Sequence, residues 1–218
     1  MPTPVFSAAA LAGVPVGVQA QGVWVGRRQL FVKFAGEAET ATMYSADALA
    51  RELQRHVQRG AFHSISVAGR DPLANTDFLT MALTKAQIPL PVMLDIDGQR
   101  PDEIATIAPH IALVQVTLDP GSADTMLQRG CATLSAALRA GRSHAFVVAA
   151  SPETSDAQIL RSVEQARDAS AEAEVLLLPP LTGESVLDRR WAVLLDQAMQ
   201  LHPRTALGTR ILRPAGMR

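Results

Sequence analysis

The chain alternates short apolar runs, rich in β-branched residues, with longer amphipathic segments, and this alternation limits the folds open to it. Near-continuous apolar strands between amphipathic helices are typical of a parallel sheet covered by helices. The tight connections predict an α/β fold, either a partial barrel or an open doubly wound sheet. The predicted strands are QLFVKFAG (29–36), HSISVAG (63–69), PVMLDIDG (91–98), IALVQVTL (111–118), SHAFVVAA (143–150), EVLLLPP (174–180) and, as a seventh, TALGTRIL (205–212).

Capping residues and helical spacing predict helices between these strands. Ser45 is expected to N-cap the helix ADALARELQRHVQRG, in which apolar residues recur every four positions from Leu49 and which Gly60 ends. Ser155 is expected to cap the helix after the fifth strand in the same way. The other predicted helices cover 76–87, 101–108, 122–139 and 184–200.

The bulk composition indicates one folded unit. With 218 residues, 48% hydrophobic and 19% charged, the chain can bury a substantial core and is not expected to be disordered. No linker rich in proline, glycine and serine divides it. We therefore predict a single domain over 1–218, with an N-terminal segment (1–28) that leads into the first strand and a partial barrel over 29–218.

Charge and hydropathy argue against two classes of partner. A formal net charge of −1 gives no general attraction to nucleic acid or to acidic membranes. No run approaches the ~20 apolar residues that a membrane-spanning helix needs. The apolar stretch VFSAAALAGVPVGVQAQG is interrupted by prolines and glycines and follows no basic residue, so no signal peptide is expected. A cytoplasmic location is the prediction.

The chain contains one cysteine, Cys131, in the helical pattern TMLQRGCATLSAAL. One cysteine excludes a disulfide within the chain and any zinc site or iron–sulfur cluster built from several of its own thiolates. Cys131 is interpreted as a small, buried apolar residue.

The predicted loops at the carboxyl ends of the strands are rich in acidic residues, and function collects at this end of such folds. Asp95 and Asp97 are two residues apart and should face the same side of their strand. With Asp71 and Asp119 from neighbouring strands they are the catalytic candidates, as an acid/base pair or as a Mg²⁺ site at Asp95 and Asp97. Alternatively, the aspartates are solvated or paired with Arg70 and Arg100.

Histidine is absent from these loops, so a histidine base or a histidine-rich metal centre is not expected. The histidines fall within helices or near the starts of strands, at His56, His63, His110, His144 and His202.

The stretch VQAQGVWVGRRQLFVKFAGE (18–37) resembles the opening of the 7-carboxy-7-deazaguanine synthases, which belong to the radical S-adenosylmethionine superfamily. That opening is of the type IQGEGxxxGRxxxFxRxxGC. The residues that match it are Gln19, Gly22, Gly26, Arg27, Phe31 and Gly36; those that differ are Ala20, Gln21, Lys33 and Glu37.

Further segments resemble the same family in the same order. SVAGRDPL (66–73) is similar to a TGGEPL segment, and LDIDG (94–98) to an ETNG segment. LVQVTLDPGS (113–122) resembles a strand that carries a DIK motif, and VLLLPPLTG (175–183) an LMPEG segment. The resemblance implies a partial (β/α)6-type barrel of parallel strands, radical-SAM-like, and a dimer.

The main departure lies where the family carries CxxxCxxC after the first strand. There, three thiolates hold a four-iron, four-sulfur cluster whose open iron binds S-adenosylmethionine. In this chain Glu37 stands at the first cysteine position, and Ala41 and Tyr44 at the others if the spacing is kept. These residues cannot replace thiolates, so we predict a shortened loop, no iron–sulfur cluster and no radical chemistry by this chain alone.

The resemblance also implies binding residues. Gly69 and Asp71 would meet S-adenosylmethionine, although Arg70 fills space that a family glycine leaves open. Gln19, Gln21 and Lys33 would form the substrate side. The alternatives are that Arg70 pairs with a neighbouring acid and that Lys33 pairs with Glu37 or Asp97.

Three functions remain open from the sequence. The first is a pseudoenzyme that acts as a scaffold, a regulatory subunit or a partner, as a homodimer or as a heterodimer with a catalytic relative. The second is a non-radical enzyme that uses the acidic site, with or without Mg²⁺. The third is a binding protein for a purine-like, pterin-like or S-adenosyl ligand. No cofactor is expected for the first.

Overall fold

The computed structural model describes residues 8–180 and 189–211 as a mostly parallel α/β sheet with helices between the strands. The strands are β1 (Ala8–Gly13), β2 (Val16–Val18), β3 (Arg28–Phe34), β4 (Thr42–Ser45), β5 (Ser64–Gly69), β6 (Val92–Ile96), β7 (Leu113–Leu118), β8 (Ser143–Ala149), β9 (Glu174–Leu178) and β10 (Thr205–Leu207). The helices are α1 (Ala46–Arg59), α2 (Thr76–Ala86), α3 (Ile104–Ile107), α4 (Asp124–Arg139), α5 (Asp156–Ala169) and α6 (Arg189–Leu201).

All described strands belong to one open sheet in the order β10-β9-β8-β7-β6-β5-β3-β1-β4, with β2 paired to β3. The strands from β3 and β5 through β10 are parallel, whereas β1, β2 and β4 join the sheet antiparallel. The predicted α/β fold is confirmed, and the open, mostly parallel sheet is consistent with a partial barrel.

The described parts of the N-terminal segment and of the predicted cluster loop contain strands that were not assigned from the sequence. The part of 1–28 that is described does more than lead into the first strand, because it contains β1 and β2. After β3, a turn at 35–41 is followed by β4, which pairs with β1 from Ala8↔Ser45 to Leu11↔Thr42. The sequence analysis predicted only a shortened loop here.

Strand and helix boundaries follow local chemistry. The Ser45 hydroxyl accepts a hydrogen bond from the Ala48 N–H and caps α1 as predicted, and Ser155 forms a capping box with Gln158 on α5. α4 begins two residues later than predicted, with the uncapped Ala123 at its N-terminus. Parts of several predictions lie outside the described residues: 1–7 of the N-terminal segment, 181–183 of the LMPEG-like segment, 184–188 of the last helix, residue 212 of the last strand, and 212–218 at the end of the predicted barrel.

The core lies between one face of the sheet and a row of helices in which each helix contacts the next. Leu30, Val32 and Phe34 of β3 point into it, as the period of a strand requires. The opposite, inner face of the sheet carries a small second cluster of Met93, Leu113 and Ala145, which Val23 and Trp24 cover. The turn at 19–27 therefore lies over the inner face.

Among the described residues, none of the helices combines the length and apolar character needed to cross a membrane.

Candidate functional site at the carboxyl ends of the strands

Asp71 lies directly after β5 and is held by an arginine. Its backbone is left-handed, with φ 41°, which is uncommon for a residue with a side chain. Both carboxylate oxygens accept from the Arg100 Nε, at 2.9 and 2.8 Å. This contact agrees with the alternative in which the aspartates pair with arginines. It leaves Asp71 engaged within the protein.

The cations near the carboxyl ends of β3 and β5 are also paired. Arg70 contacts Glu37 at 2.5 Å, and both side chains are largely exposed. Lys33 pairs with Glu39 and not with Glu37 or Asp97, the partners named in the alternative to substrate binding. Glu39 also accepts from the Gly36 N–H at 3.0 Å. That backbone hydrogen bond, and then Lys33, lower the pKa of Glu39. These contacts stabilise the turn between β3 and β4.

Gly69 has a structural role that the sequence did not show. Its φ is 103°, and a Cβ built there would lie 2.2 Å from the Phe34 carbonyl oxygen. The close approach of β3 to β5 thus requires glycine at this position, whether or not a ligand is bound. The proposed contact of Gly69 and Asp71 with S-adenosylmethionine stays a prediction.

Asp97 and Asp119 accept hydrogen bonds from groups in their own loops and, for Asp119, in the loop after β8. Asp97 accepts from the Gln99 side chain at 2.6 Å. Asp119 accepts from the Gly121 N–H at 2.8 Å and from the Thr154 hydroxyl at 3.2 Å. Within 8–180 and 189–211, no three histidine, cysteine, aspartate or glutamate side chains come together in a group that could hold a metal ion. The proposed Mg²⁺ site at Asp95 and Asp97 stays a prediction.

Asp95, in contrast, faces a polar cluster on the inner face of the sheet. Its Oδ2 accepts from the Gln19 Nε2 at 3.2 Å, and its Oδ1 from the Thr117 hydroxyl at 3.2 Å. The same Gln19 amide donates to the backbone carbonyl of Gln21 at 2.9 Å. The structure therefore brings together Gln19, predicted on the substrate side, and Asp95, predicted as catalytic. No hydrogen bond from either joins them to Lys33 among the described contacts.

Gln115 belongs to this cluster and was missed by the sequence analysis. It pairs in register with Asp95 and is fully buried. Its Oε1 accepts from the Val23 N–H at 3.0 Å, and a Cβ on Gly22 would lie 2.0 Å from that oxygen. Because Gly22 has no side chain and adopts φ 87°, the turn at 19–27 can pack directly against the Gln115 side chain. The signal was available, because Gln115 is an isolated amide in the apolar run IALVQVTL.

The cluster changes the acidity of its carboxyl group. Burial raises the pKa of Asp95, because the charged form loses hydration. The amides of Gln115 and Gln19 and the Thr117 hydroxyl oppose this rise. The Gln115 Nε2 is buried and has no hydrogen-bond partner among the described residues. A carboxyl group poised in this way can hold or release a proton on the inner face.

The residues after β3 do not fit an iron–sulfur cluster. Glu37 is exposed and paired with Arg70, Ala41 has no donor atom, and Tyr44 packs against the core from β4. Burial, and then Glu52, raise the pKa of the Tyr44 hydroxyl. Cys131 lies on α4, and burial raises the pKa of its thiol to about 11. The oxygen donors of Glu37 and Tyr44 are poor ligands for an iron–sulfur cluster, which is held by thiolates.

No protein-family model matches the chain. A 7-carboxy-7-deazaguanine synthase of Methanothermobacter thermautotrophicus is 30% identical to it over 105 residues. That match covers 42% of this chain and 41% of the synthase, so the chain is aligned with less than half of that relative. This similarity is distant, and it covers less of the chain than the motifs that resemble the family, which run from residue 18 to residue 183.

Among solved structures, the apo form of the Escherichia coli 3-keto-D-glucoside 4-epimerase YcjR matches 73% of each chain. The TM-score is 0.37 and the sequence identity 12%. A likeness at this level has no bearing on function.

Proposed function

We propose that this protein is a relative of the 7-carboxy-7-deazaguanine synthases that does not perform cluster-dependent radical chemistry and acts by binding a protein subunit. One observation carries the proposal. The segment after β3, where that family carries its three cysteines, forms an ion-paired turn and the strand β4 and supplies no thiolate. The single cysteine of the chain, Cys131, lies on a helix.

The contacts of the acidic side chains support this role. A non-radical enzyme would need carboxylates that converge on an open pocket. Here Asp71 is bound by Arg100, and Asp119 by Gly121 and Thr154. Each is occupied by the protein itself, as expected for a site no longer used for chemistry.

The sheet offers a surface for a subunit. β4 is the last strand of the sheet, so its outer edge has no strand beside it among the described residues. Met43 on this strand is 67% exposed. An open edge next to an exposed apolar side chain is suited to pairing with another chain. The occupant we propose is a second copy of this chain or a catalytic relative.

Iron content tests the first half of the proposal. The protein is purified without oxygen and incubated with ferrous iron and sulfide, and iron, sulfide and visible absorption are then measured. We expect no stoichiometric iron and no reducible absorption band. A reducible centre with stoichiometric iron and sulfide would contradict the proposal.

Assembly tests the second half. Light scattering after size-exclusion chromatography gives the mass of the wild type, of Met43→Lys and of the control Met81→Lys, which changes an exposed methionine on α2. We expect a dimer that Met43→Lys dissociates and Met81→Lys does not. A monomeric wild type that also fails to associate with a co-expressed, cysteine-complete relative would refute the role.

The cluster around Asp95 favours a second candidate function, which is a binding or non-radical catalytic site on the inner face. Gln19, Gln115 and Thr117 present amide and hydroxyl groups beside a carboxyl with a raised pKa. Thermal shifts with S-adenosylmethionine, guanine and Mg²⁺ test it. A ligand at a hundredfold excess over its dissociation constant should stabilise the fold by about 2.7 kcal/mol. No shift with any of the three would remove this candidate.

A further inference from the structure

A cavity of about 560 Å³ opens at the amino-terminal ends of β7, β8 and β9. It lies at the opposite end of the sheet from the loops that contain Asp71 and Asp119. Residues before β7, after α4 and before β9 form its walls together with the turn at 19–27. Neither the proposed subunit role nor the Asp95 cluster uses it.

One wall of the cavity is aromatic and apolar. Trp24, Val23 and Leu113 line it. The Trp24 ring meets the His63 ring edge to face, with 5.0 Å between centroids, and packs on the second apolar cluster. These contacts hold the indole in place before any ligand arrives, which lowers the entropy lost on binding.

Another wall presents a cation without a carboxylate partner. Arg142 is half-buried, and its Nε and Nη1 donate to the carbonyls of Ala140 and Ile111, at 3.2 and 3.3 Å. Across residues 8–180 and 189–211 it makes no ion pair. A guanidinium has five N–H donors, so this fixed group retains donors for an anion.

The remaining charges define what else the ligand must carry. Arg204 and Glu174 lie 3.7 Å apart and largely neutralise each other. Both ring nitrogens of His144 are already hydrogen-bonded, to the Arg142 carbonyl and to the Ser170 hydroxyl. Glu172 is exposed at the cavity and has no ion-pair partner within the described part of the chain. One cation and one anion on the walls are thus left for a ligand.

We infer that this cavity binds a small aromatic amino acid. Its carboxylate contacts Arg142, its ammonium group contacts Glu172, and its ring packs against Trp24 and Leu113. A zwitterion satisfies both free charges, whereas a simple anion would leave Glu172 without a partner. The volume accommodates such a molecule with bound water.

Titration calorimetry on the full chain tests the inference with L-phenylalanine as the probe. We expect saturable binding with a dissociation constant on the order of 1 mM or tighter, in keeping with the size of the ligand. 3-Phenylpropionate, which lacks the ammonium group, and phenethylamine, which lacks the carboxylate, should each bind at least about tenfold more weakly. Absence of binding, or equal affinity for either analogue, would overturn the inference.

Paired variants locate the site. Arg142→Gln and Glu172→Gln should each weaken binding at least about tenfold, because a charge-assisted hydrogen bond is lost. The controls are Arg139→Gln at the end of α4 and Glu153→Gln in an exposed loop, neither of which lines the cavity. Because Glu172 is exposed, its variant should fold even if Arg142→Gln does not. Unchanged affinity in folded Glu172→Gln would refute the assigned contact.

Discussion

At the scale of single residues, Gly69 was predicted as a ligand contact, and in the structure it lies directly against the backbone of the neighbouring strand β3. The sequence showed a glycine at this position but not why glycine is required there. The requirement comes from the close approach of the Phe34 carbonyl, which depends on how β3 and β5 pair. Asp71 shows the same limit. Its pairing with an arginine was one of two stated alternatives, and only the fold selects Arg100 as the partner.

Replacing Gly69 by alanine should destabilise the fold by about 2 kcal/mol or more. The new Cβ meets main-chain atoms of Phe34, which cannot move aside like a flexible side chain, at a positive φ. Gly141→Ala is the matched control, with φ 65° and nothing within 4 Å of the added Cβ, and should cost about 1 kcal/mol. Urea unfolding measures both. Equal losses would show that the close contact does not matter.

Asp95 should make stability depend on pH. Because its pKa is raised in the folded protein, the folded state binds this proton more tightly than the unfolded state. Its contribution is therefore fully present below the unfolded pKa, near 3.8, and is lost as pH rises through the folded pKa. The free energy of unfolding of Asp95→Asn should fall less over this window. Asp97→Asn, at a half-buried carboxylate just after β6 that accepts from Gln99, is the control variant.

At the scale of elements, the parallel strands were predictable because each is a near-continuous apolar run. β1 and β4 were not. AAALAG and TMYS are short, and the first is built mostly from alanine, so neither has the alternation or β-branched content of a strand. Their strand conformation comes from pairing with each other and, for β1, also with β3, which is a tertiary effect.

The capping box on α5 should contribute measurably. Ser155→Ala removes the acceptor for the Gln158 N–H and should cost about 1 kcal/mol in the free energy of unfolding. Ser143→Ala is the control, because this exposed serine starts β8 and caps no helix. Thermal and urea unfolding give both values. A Ser155 effect no larger than that of the control would exclude a stabilising cap.

At the scale of the whole molecule, the continuous sheet predicts one cooperative unit. Trp24 covers the inner face and Trp191 packs in the core from α6, so each reports on a different part of the structure. In Trp24→Phe and Trp191→Phe, the remaining tryptophan fluorescence and the circular dichroism should have the same urea midpoint. Separate midpoints within one variant would indicate independently unfolding parts.

The antiparallel strands β1 and β4 at the edge of the sheet also have a practical consequence for engineering. β1 lies between β3 and β4, so it anchors both ends of the turn at 35–41 independently of what the turn contains. A longer insert bearing CxxxCxxC could therefore be transplanted between Ala35 and Thr42 while the flanking strands keep their register. Such a chimera would separate the capacity to host an iron–sulfur centre from the rest of the scaffold.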